Sequence, residues 1–153
     1  MRPPFVPLIL TAAGAVPFVI GAAISRLDTT QTFGAITLSP TDGPTLLAAY
    51  GVVILAFMSG ILWGFATTTA RKTGYFLSVI PSLFAFFFGT FHVFSLAVTL
   101  QLLLMWLAAG FAIVLALDAW FWRQGLAPVW WLSLRIPVSV VVVTCLLIGA
   151  SAF

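Results

Sequence analysis

The sequence predicts an all-α membrane protein, a bundle of five transmembrane helices with a cytoplasmic amino terminus. The composition gives two of the reasons, because 63% of the 153 residues are apolar and only 6% are charged. A soluble domain carries about 25% charged residues. The third reason is a series of five apolar stretches, most of them near the ~20 residues that a helix needs to cross a bilayer. Helices are expected because an open sheet would leave backbone groups unpaired in lipid.

The predicted spans follow one another within a single domain, residues 1–153. The first runs from about residue 5 to 24, and we interpret it as a retained helix. It is longer than the 7–15-residue core of a signal peptide, and Pro17 interrupts it. The third span is the marginal one, because about 16 residues fall short of a full crossing. It needs either a wet or interfacial turn at residues 89–94 or a boundary shared with the long fourth span. The remaining spans are expected at about 45–68, 75–90, 93–120 and 132–153.

The longest predicted connection, residues 26–43, is polar and rich in threonine at its beginning. Its apolar part, residues 33–38, is short enough to lie against the membrane surface as an extended or helical piece. The sequence Asp42-Gly43-Pro44 predicts a turn into the second helix. Proline is favoured in a first helical turn, where its missing N–H costs nothing.

The distribution of basic residues predicts the orientation of the bundle. With five spans, Arg26 alone falls on one side of the membrane, and the other five basic residues fall on the opposite side. Those five are Arg2, Arg71, Lys72, Arg123 and Arg135. The positive-inside rule therefore places the amino terminus in the cytoplasm. We expect a bacterial inner membrane, or the mitochondrial inner membrane in a eukaryote. The net charge of +3 reflects this orientation, and no nucleic-acid partner is expected.

Few side chains are available for catalysis or for binding a metal ion. The chain has no glutamate, one histidine (His92) and one cysteine (Cys145), and no acidic residue falls near the predicted midplane. One histidine and one cysteine at unrelated depths do not make a zinc or haem site. We therefore expect no enzymatic activity, no metal and no cofactor. His92 is interpreted as an interfacial residue between the third and fourth helices.

Asp118 and Arg135 are the predicted charge pair of the molecule. Each lies about one helical turn inside a tryptophan that flanks the short connection at residues 123–128, so the two charges are expected at similar depth. Pairing would reduce the desolvation cost of each charge. We favour a structural lock of this helical hairpin. Two alternatives remain, a lipid- or ligand-headgroup site made together with Arg123, or an Arg135 side chain that extends to the membrane surface.

Tryptophans are concentrated at the predicted cytoplasmic boundary, as expected for an interfacial aromatic belt. The belt consists of Trp63, Trp120, Trp122, Trp130 and Trp131. Trp106 falls near the middle of the fourth helix instead, where it packs in the bundle or contacts a partner. The phenylalanines between residues 84 and 94 occupy all sides of their helix, so lipid or a partner protein must cover part of that surface.

Small and polar residues give weaker indications of helix contacts. Gly60 and Gly64 form a GxxxG pattern, which serves either packing within the bundle or contact with a partner helix. We favour packing within the bundle. Gln101 is a candidate for an interhelical hydrogen bond worth about 1 kcal/mol. Prolines at positions 17, 81 and 137 are expected to bend the first, third and fifth helices.

Several motifs together carry a family resemblance. They are Ala49-Tyr50-Gly51, Ser59-Gly60-Ile61-Leu62-Trp63-Gly64, Pro81-Ser82-Leu83, Ala109-Gly110-Phe111 with Asp118, and the stretch from Gly125 to Pro137. Through them most of the chain resembles the transmembrane protein 69-like family, an integral membrane domain of unknown function found in bacteria and mitochondria. The sequence departs from that family at Leu62, where His or another polar residue is common. The resemblance implies a five-helix membrane protein and no established activity.

The leading functional prediction is a non-catalytic accessory or assembly subunit that contacts a larger respiratory or photosynthetic membrane complex. It follows from the scarcity of catalytic side chains and from the surplus of aromatic, lipid-facing surface. The alternative is a binder or carrier of an apolar small molecule, such as a quinone or lipid, in a cavity lined by Trp106, Gln101 or phenylalanines. Membrane lipid is an expected partner in either case.

Overall fold

The structure, a computed structural model, describes residues 3–68, 72–94 and 98–153, and these contain five long helices. The helices are α1 (Phe5–Ile24), α2 (Asp42–Thr67), α3 (Lys72–Val93), α4 (Leu100–Arg123) and α5 (Trp131–Ala150). Each is long and apolar enough to cross a membrane, which confirms the five predicted helices and suggests a multi-pass membrane protein. Prolines 17, 81 and 137 lie inside α1, α3 and α5.

Several predicted helix bounds differ from the observed ones, including the start of α2, the end of α4 and the end of α5. The bounds of α3 and the start of α4 differ in the most informative way. Helix α3 has 22 residues and continues through Gly89 to Val93, so it is not marginal and no turn begins at residue 89. Helix α4 begins at Leu100 rather than at residue 93, because the Thr99 hydroxyl caps it by accepting a hydrogen bond from the Leu102 N–H at 3.2 Å. Positions 95–97 of the predicted fourth span lie outside the described residues. So do Arg2 and Arg71, which contribute to the predicted orientation.

The connection between α1 and α2 contains a small β-hairpin. Strands β1 (Gln31–Phe33) and β2 (Ile36–Leu38) pair in antiparallel register, with Phe33 opposite Ile36. Gly34 adopts a φ of 62° in the turn between them, a conformation that glycine reaches without steric cost. The predicted single piece at residues 33–38 is therefore the last residue of β1, the turn and the whole of β2.

Successive helices run in opposite directions, so the bundle has two distinct ends. At one end the last turn of α1 meets the first turn of α2, and we name this the hairpin end after β1 and β2. At the other end Trp63 of α2 stacks on Tyr75 of α3, with ring centroids 4.9 Å apart. We name it the tryptophan end, because it also holds the connection between α4 and α5. Helix α2 is central and packs against all four other helices.

The core lies between α2, α4 and α5, with Phe18 of α1 inserted into it. Leu55, Phe111 and Leu146 are among its fully buried side chains. The outer faces of the helices are also apolar, as Phe5 (73% exposed) illustrates. Such a surface suits lipid, which leaves no cost for exposed apolar groups.

Glycines allow the helices to approach closely at the hairpin end. A Cβ atom added to Gly43 would lie 2.5 Å from the Gly21 carbonyl oxygen and also collide with the Ser25 backbone nitrogen. Gly43 therefore holds the beginning of α2 directly against the last turn of α1.

Candidate functional site

The most buried charged groups of the described residues form a pair between α4 and α5. Arg135 Nε donates a hydrogen bond to Asp118 Oδ2 at 2.8 Å. Asp118 is completely buried and Arg135 is 7% exposed. The local cause is the tight connection between the helices, where Gly125 takes a φ of 71° and lets α5 return alongside α4. The structure thus brings the two residues of the predicted pair into direct contact, several residues inside the tryptophan end.

Trp131 completes this polar cluster. Its indole Nε1 donates to Asp118 Oδ1 at 2.7 Å, so both carboxylate oxygens have a donor. The Trp131 ring meets Phe65 edge-on at 5.0 Å, and the Arg135 guanidinium carbon lies 6.0 Å from the ring centroid. The interpretation of Trp131 as a belt residue is therefore incomplete. Its ring turns inward because the buried carboxylate is the available acceptor for the indole N–H.

Two buried polar atoms of α5 have no hydrogen-bond partner among the described residues. Arg135 Nη2 and Ser139 Oγ are both buried, and neither forms a hydrogen bond with the described residues. A buried donor without an acceptor costs about 1–3 kcal/mol, so such groups are rare in folded proteins. Arg135 and Ser139 are four residues apart in one helix and therefore lie on the same face.

Both unpartnered atoms belong to residues that line a cavity of about 290 Å³. The cavity lies between α1, α2, α4 and α5, at the depth of the polar cluster. Its wall is otherwise largely apolar and aromatic. The main contributors are Phe18, Phe57, Ile61, Phe111, Trp131 and Val142. A small apolar cavity with a few converging polar groups is the usual form of a small-molecule site.

The lining of the cavity reaches the outer surface of the bundle on α1 and α2. Two of its lining residues, Leu10 of α1 and Phe57 of α2, are 66% and 61% exposed. These helices are apolar on their outer faces, so this side of the cavity would face the hydrocarbon region of a membrane. A ligand could therefore enter sideways from lipid.

The structure corrects the lining that the sequence suggested. Neither Trp106 nor Gln101 borders this cavity, whereas phenylalanines do, as expected: they are Phe18, Phe57 and Phe111. Trp106 packs on Phe88 with ring centroids 3.9 Å apart. Gln101 Nε2 donates to the Ala150 carbonyl at 3.1 Å and joins α4 to the end of α5. Both residues therefore make contacts between helices.

A second cavity, of about 450 Å³, lies at the hairpin end between α2, α3 and α4. Two of its polar lining residues, Thr45 and His92, have partners inside the protein. Thr45 Oγ1 donates to the Thr41 carbonyl at 2.9 Å, and His92 Nδ1 lies 2.9 Å from the Val98 carbonyl oxygen. Although this cavity is larger, it offers less reason to expect a specific ligand.

The remaining tryptophans of the predicted belt lie at the tryptophan end. Trp63 is 47% exposed and Trp122 is 40% exposed. Trp122 Nε1 donates to the Val129 carbonyl at 3.2 Å, which ties the end of α4 to the connecting turn. Trp120 and Trp130 are half-buried and pack on Phe121 and Trp131 respectively.

The interpretation of Gly60 and Gly64 as an internal packing surface is wrong. Both glycines are exposed, and a Cβ atom added to either would meet no atom within 4 Å. The pattern turns outward because the opposite face of α2, with Leu55 and Leu62, is buried. Contact of Gly60 and Gly64 with a partner helix stays a prediction.

The hydrogen bonds of the buried serines were not predicted from the sequence. Ser59 of α2 donates to the Ser78 carbonyl and lies 3.1 Å from Ser82 Oγ, which joins α2 to α3. Ser139 was missed, although its position four residues after Arg135 is a usable signal. Within residues 3–68, 72–94 and 98–153, no three side chains of the metal-binding types come together.

The chain matches one protein family over nearly its full length. The family described as Protein of unknown function (DUF3429) matches residues 3–151, which include α1 to α5 and the whole polar cluster. Neither a curated protein nor a solved structure matches the chain. The match covers nearly the full length, so this chain belongs to the DUF3429 family.

Proposed function

We propose that this protein is a non-catalytic membrane protein that binds a mostly apolar small molecule in the cavity between α1, α2, α4 and α5. One observation carries the proposal, the two buried and unpartnered polar atoms on residues that line an apolar cavity. Such atoms would cost free energy in the empty protein. A ligand with a hydrogen-bond acceptor would remove that cost and gain apolar contact at the same time.

The construction of the cluster supports this proposal. Each carboxylate oxygen of Asp118 accepts one hydrogen bond, from Arg135 Nε and from Trp131 Nε1, so Asp118 holds the guanidinium without a hydrogen bond to Nη2. A simple structural lock would be satisfied by two parallel hydrogen bonds, the common arrangement for arginine and carboxylate. The use of Nε leaves Nη2 available for another acceptor.

The test is to purify the protein in mild detergent and identify co-purified quinones and lipids by mass spectrometry. Gly14 lines the cavity, and only the Tyr50 hydroxyl lies within 4.0 Å of a Cβ atom added there. Gly14→Leu should therefore fill part of the cavity and remove most of the bound molecule. Gly60→Leu is the matched control, because it adds the same side chain in open space outside the cavity. Equal ligand content in both variants would contradict the proposal.

A second candidate is an accessory or assembly subunit of a larger respiratory or photosynthetic membrane complex. The exposed phenylalanines of α3, with Phe86 at 61% and Phe87 at 50% exposure, favour it together with the open Gly60 and Gly64 surface. Gentle extraction followed by sizing and identification of co-eluting proteins tests this candidate. Gly60→Leu should then weaken the complex while Gly14→Leu leaves it intact, the reverse of the ligand result.

We further propose that the protein resides in a bacterial inner membrane, or a mitochondrial one, with its amino terminus in the cytoplasm. The five-to-one distribution of basic residues supports this orientation. Within the DUF3429 family, the motifs from Gly125 to Pro137 support a relationship to the transmembrane protein 69-like proteins.

A further inference from the structure

We propose that the cavity selects a neutral, carbonyl-bearing lipid over an acidic one, an inference that rests on the proposed function. The unpartnered donors of the cavity determine which kind of ligand atom can bind to them. A guanidinium N–H donates and never accepts, so the ligand atom that meets Arg135 Nη2 must be an acceptor. Ser139 Oγ, one helical turn further along α5, provides a second donor to the same ligand group or its neighbour.

The charge of the lining is already balanced within the protein. Among the described residues that line the cavity, Arg135 alone is charged, and Asp118 already neutralises it at 2.8 Å. A carboxylate or phosphate ligand would therefore bring one uncompensated negative charge into an apolar surrounding. Burying such a charge is strongly unfavourable. A neutral acceptor meets the same two donors without that penalty.

The unpartnered Ser139 hydroxyl lies well inside the tryptophan end of the bundle. Ser139 lies eight residues after Trp131, the first residue of α5, which corresponds to about 12 Å along the helix. Trp131 marks the tryptophan end, where lipid headgroups would be expected. The acceptor must therefore sit below the headgroups. A carbonyl of a quinone or of a lipid ester reaches this depth more readily than a charged headgroup does.

The aromatic lining of the cavity and its exposed side also limit the shape of the ligand. Phe18, Phe111 and Trp131 line the same cavity as Arg135 and Ser139, and aromatic rings pack well on flat or apolar groups. An apolar tail can leave on the side of Leu10 and Phe57, both largely exposed. The site therefore fits a compact neutral polar group with a long apolar tail.

The experiment compares three probes on the delipidated protein in detergent at pH 8: decylubiquinone, monoolein and oleate. Binding is measured by titration, and the infrared carbonyl band of each bound neutral probe reports its hydrogen bonds. Decylubiquinone and monoolein represent the two sources of a neutral carbonyl. We expect at least one of them to bind at least about tenfold more tightly than oleate, with its carbonyl band at lower frequency than in free detergent.

Ser139→Ala is the diagnostic variant, because it removes one donor and little volume. It should weaken binding of the neutral probe about 3- to 10-fold and shift the carbonyl band back toward the free value. Ser133→Ala is the matched control on the same helix, since Ser133 is exposed, lies outside the cavity lining and donates to the Trp130 carbonyl at 2.7 Å. It should leave both readouts unchanged.

The outcomes separate this inference from the proposed function. If oleate binds as tightly as the neutral probes and Ser139→Ala weakens it, the cavity is a ligand site but the selection for a neutral carbonyl is overturned. If no probe binds the native protein and Ser139→Ala changes nothing, the proposed function itself fails, and the cavity holds only water.

Discussion

Removing one member of the Asp118–Arg135 pair should strongly destabilise the folded protein. Asp118→Asn preserves the size of the side chain and can still accept the hydrogen bond from Trp131 Nε1, now 2.7 Å from Oδ1. It removes the negative charge that faces Arg135 Nε at 2.8 Å. The variant therefore tests the charge interaction with little change in packing.

The magnitude follows from burial. Asp118 is 0% exposed and Arg135 is 7% exposed, so the charge that remains after the substitution has little access to water. Breaking a buried ion pair by removing one partner costs about 3–5 kcal/mol. Replacing both residues, as in Asp118→Asn with Arg135→Gln, leaves no buried charge. The double variant should recover about 2–3 kcal/mol relative to the sum of the two single variants.

The assay is reversible unfolding in mixed micelles, followed by tryptophan fluorescence and helical circular dichroism. Arg26→Gln is the control, because Arg26 is exposed and donates to Ser151 Oγ at 2.6 Å near the hairpin end. It should change the free energy of unfolding by less than about 0.5 kcal/mol. If the double variant equals the sum of the single variants within about 0.5 kcal/mol, the two charges are not coupled and the reasoning is refuted.

Two further predictions concern packing and orientation. Gly43→Ala should lower the free energy of unfolding by about 1–3 kcal/mol, because the added Cβ atom collides with backbone atoms of Gly21 and Ser25. Gly60→Ala is the control. It should be neutral or slightly stabilising, because that position is open and alanine favours a helix more than glycine does. Equal effects in the same unfolding assay would contradict the close approach of α1 and α2. Reporter fusions after Phe153 and within residues 26–43 should both report the outer side of the membrane, and a cytoplasmic signal from the carboxyl-terminal fusion would contradict the predicted orientation.

The sequence by itself determined the number of helices and the common level of Asp118 and Arg135 along α4 and α5. Hydropathy along the chain is a local property, so five apolar stretches were sufficient to predict α1 to α5. The rise of a helix is fixed, so the distances of Asp118 and Arg135 from their connecting turn predicted similar depths. Helix ends were less predictable, because the start of α4 depends on a single capping hydroxyl, that of Thr99.

Only the tertiary structure decided which face of each helix turns inward. In a soluble protein the polar face of a helix indicates which side faces water. These helices are apolar on nearly every side, so any of their faces can lie against lipid hydrocarbon. The sequence therefore could not show that Gly60 points outward or that Trp131 points inward to Asp118. The cavity was hidden for the same reason. The cavity is formed by the packing of α1, α2, α4 and α5. Arg135 and Ser139 line it because of the way α5 is oriented about its own axis in the bundle.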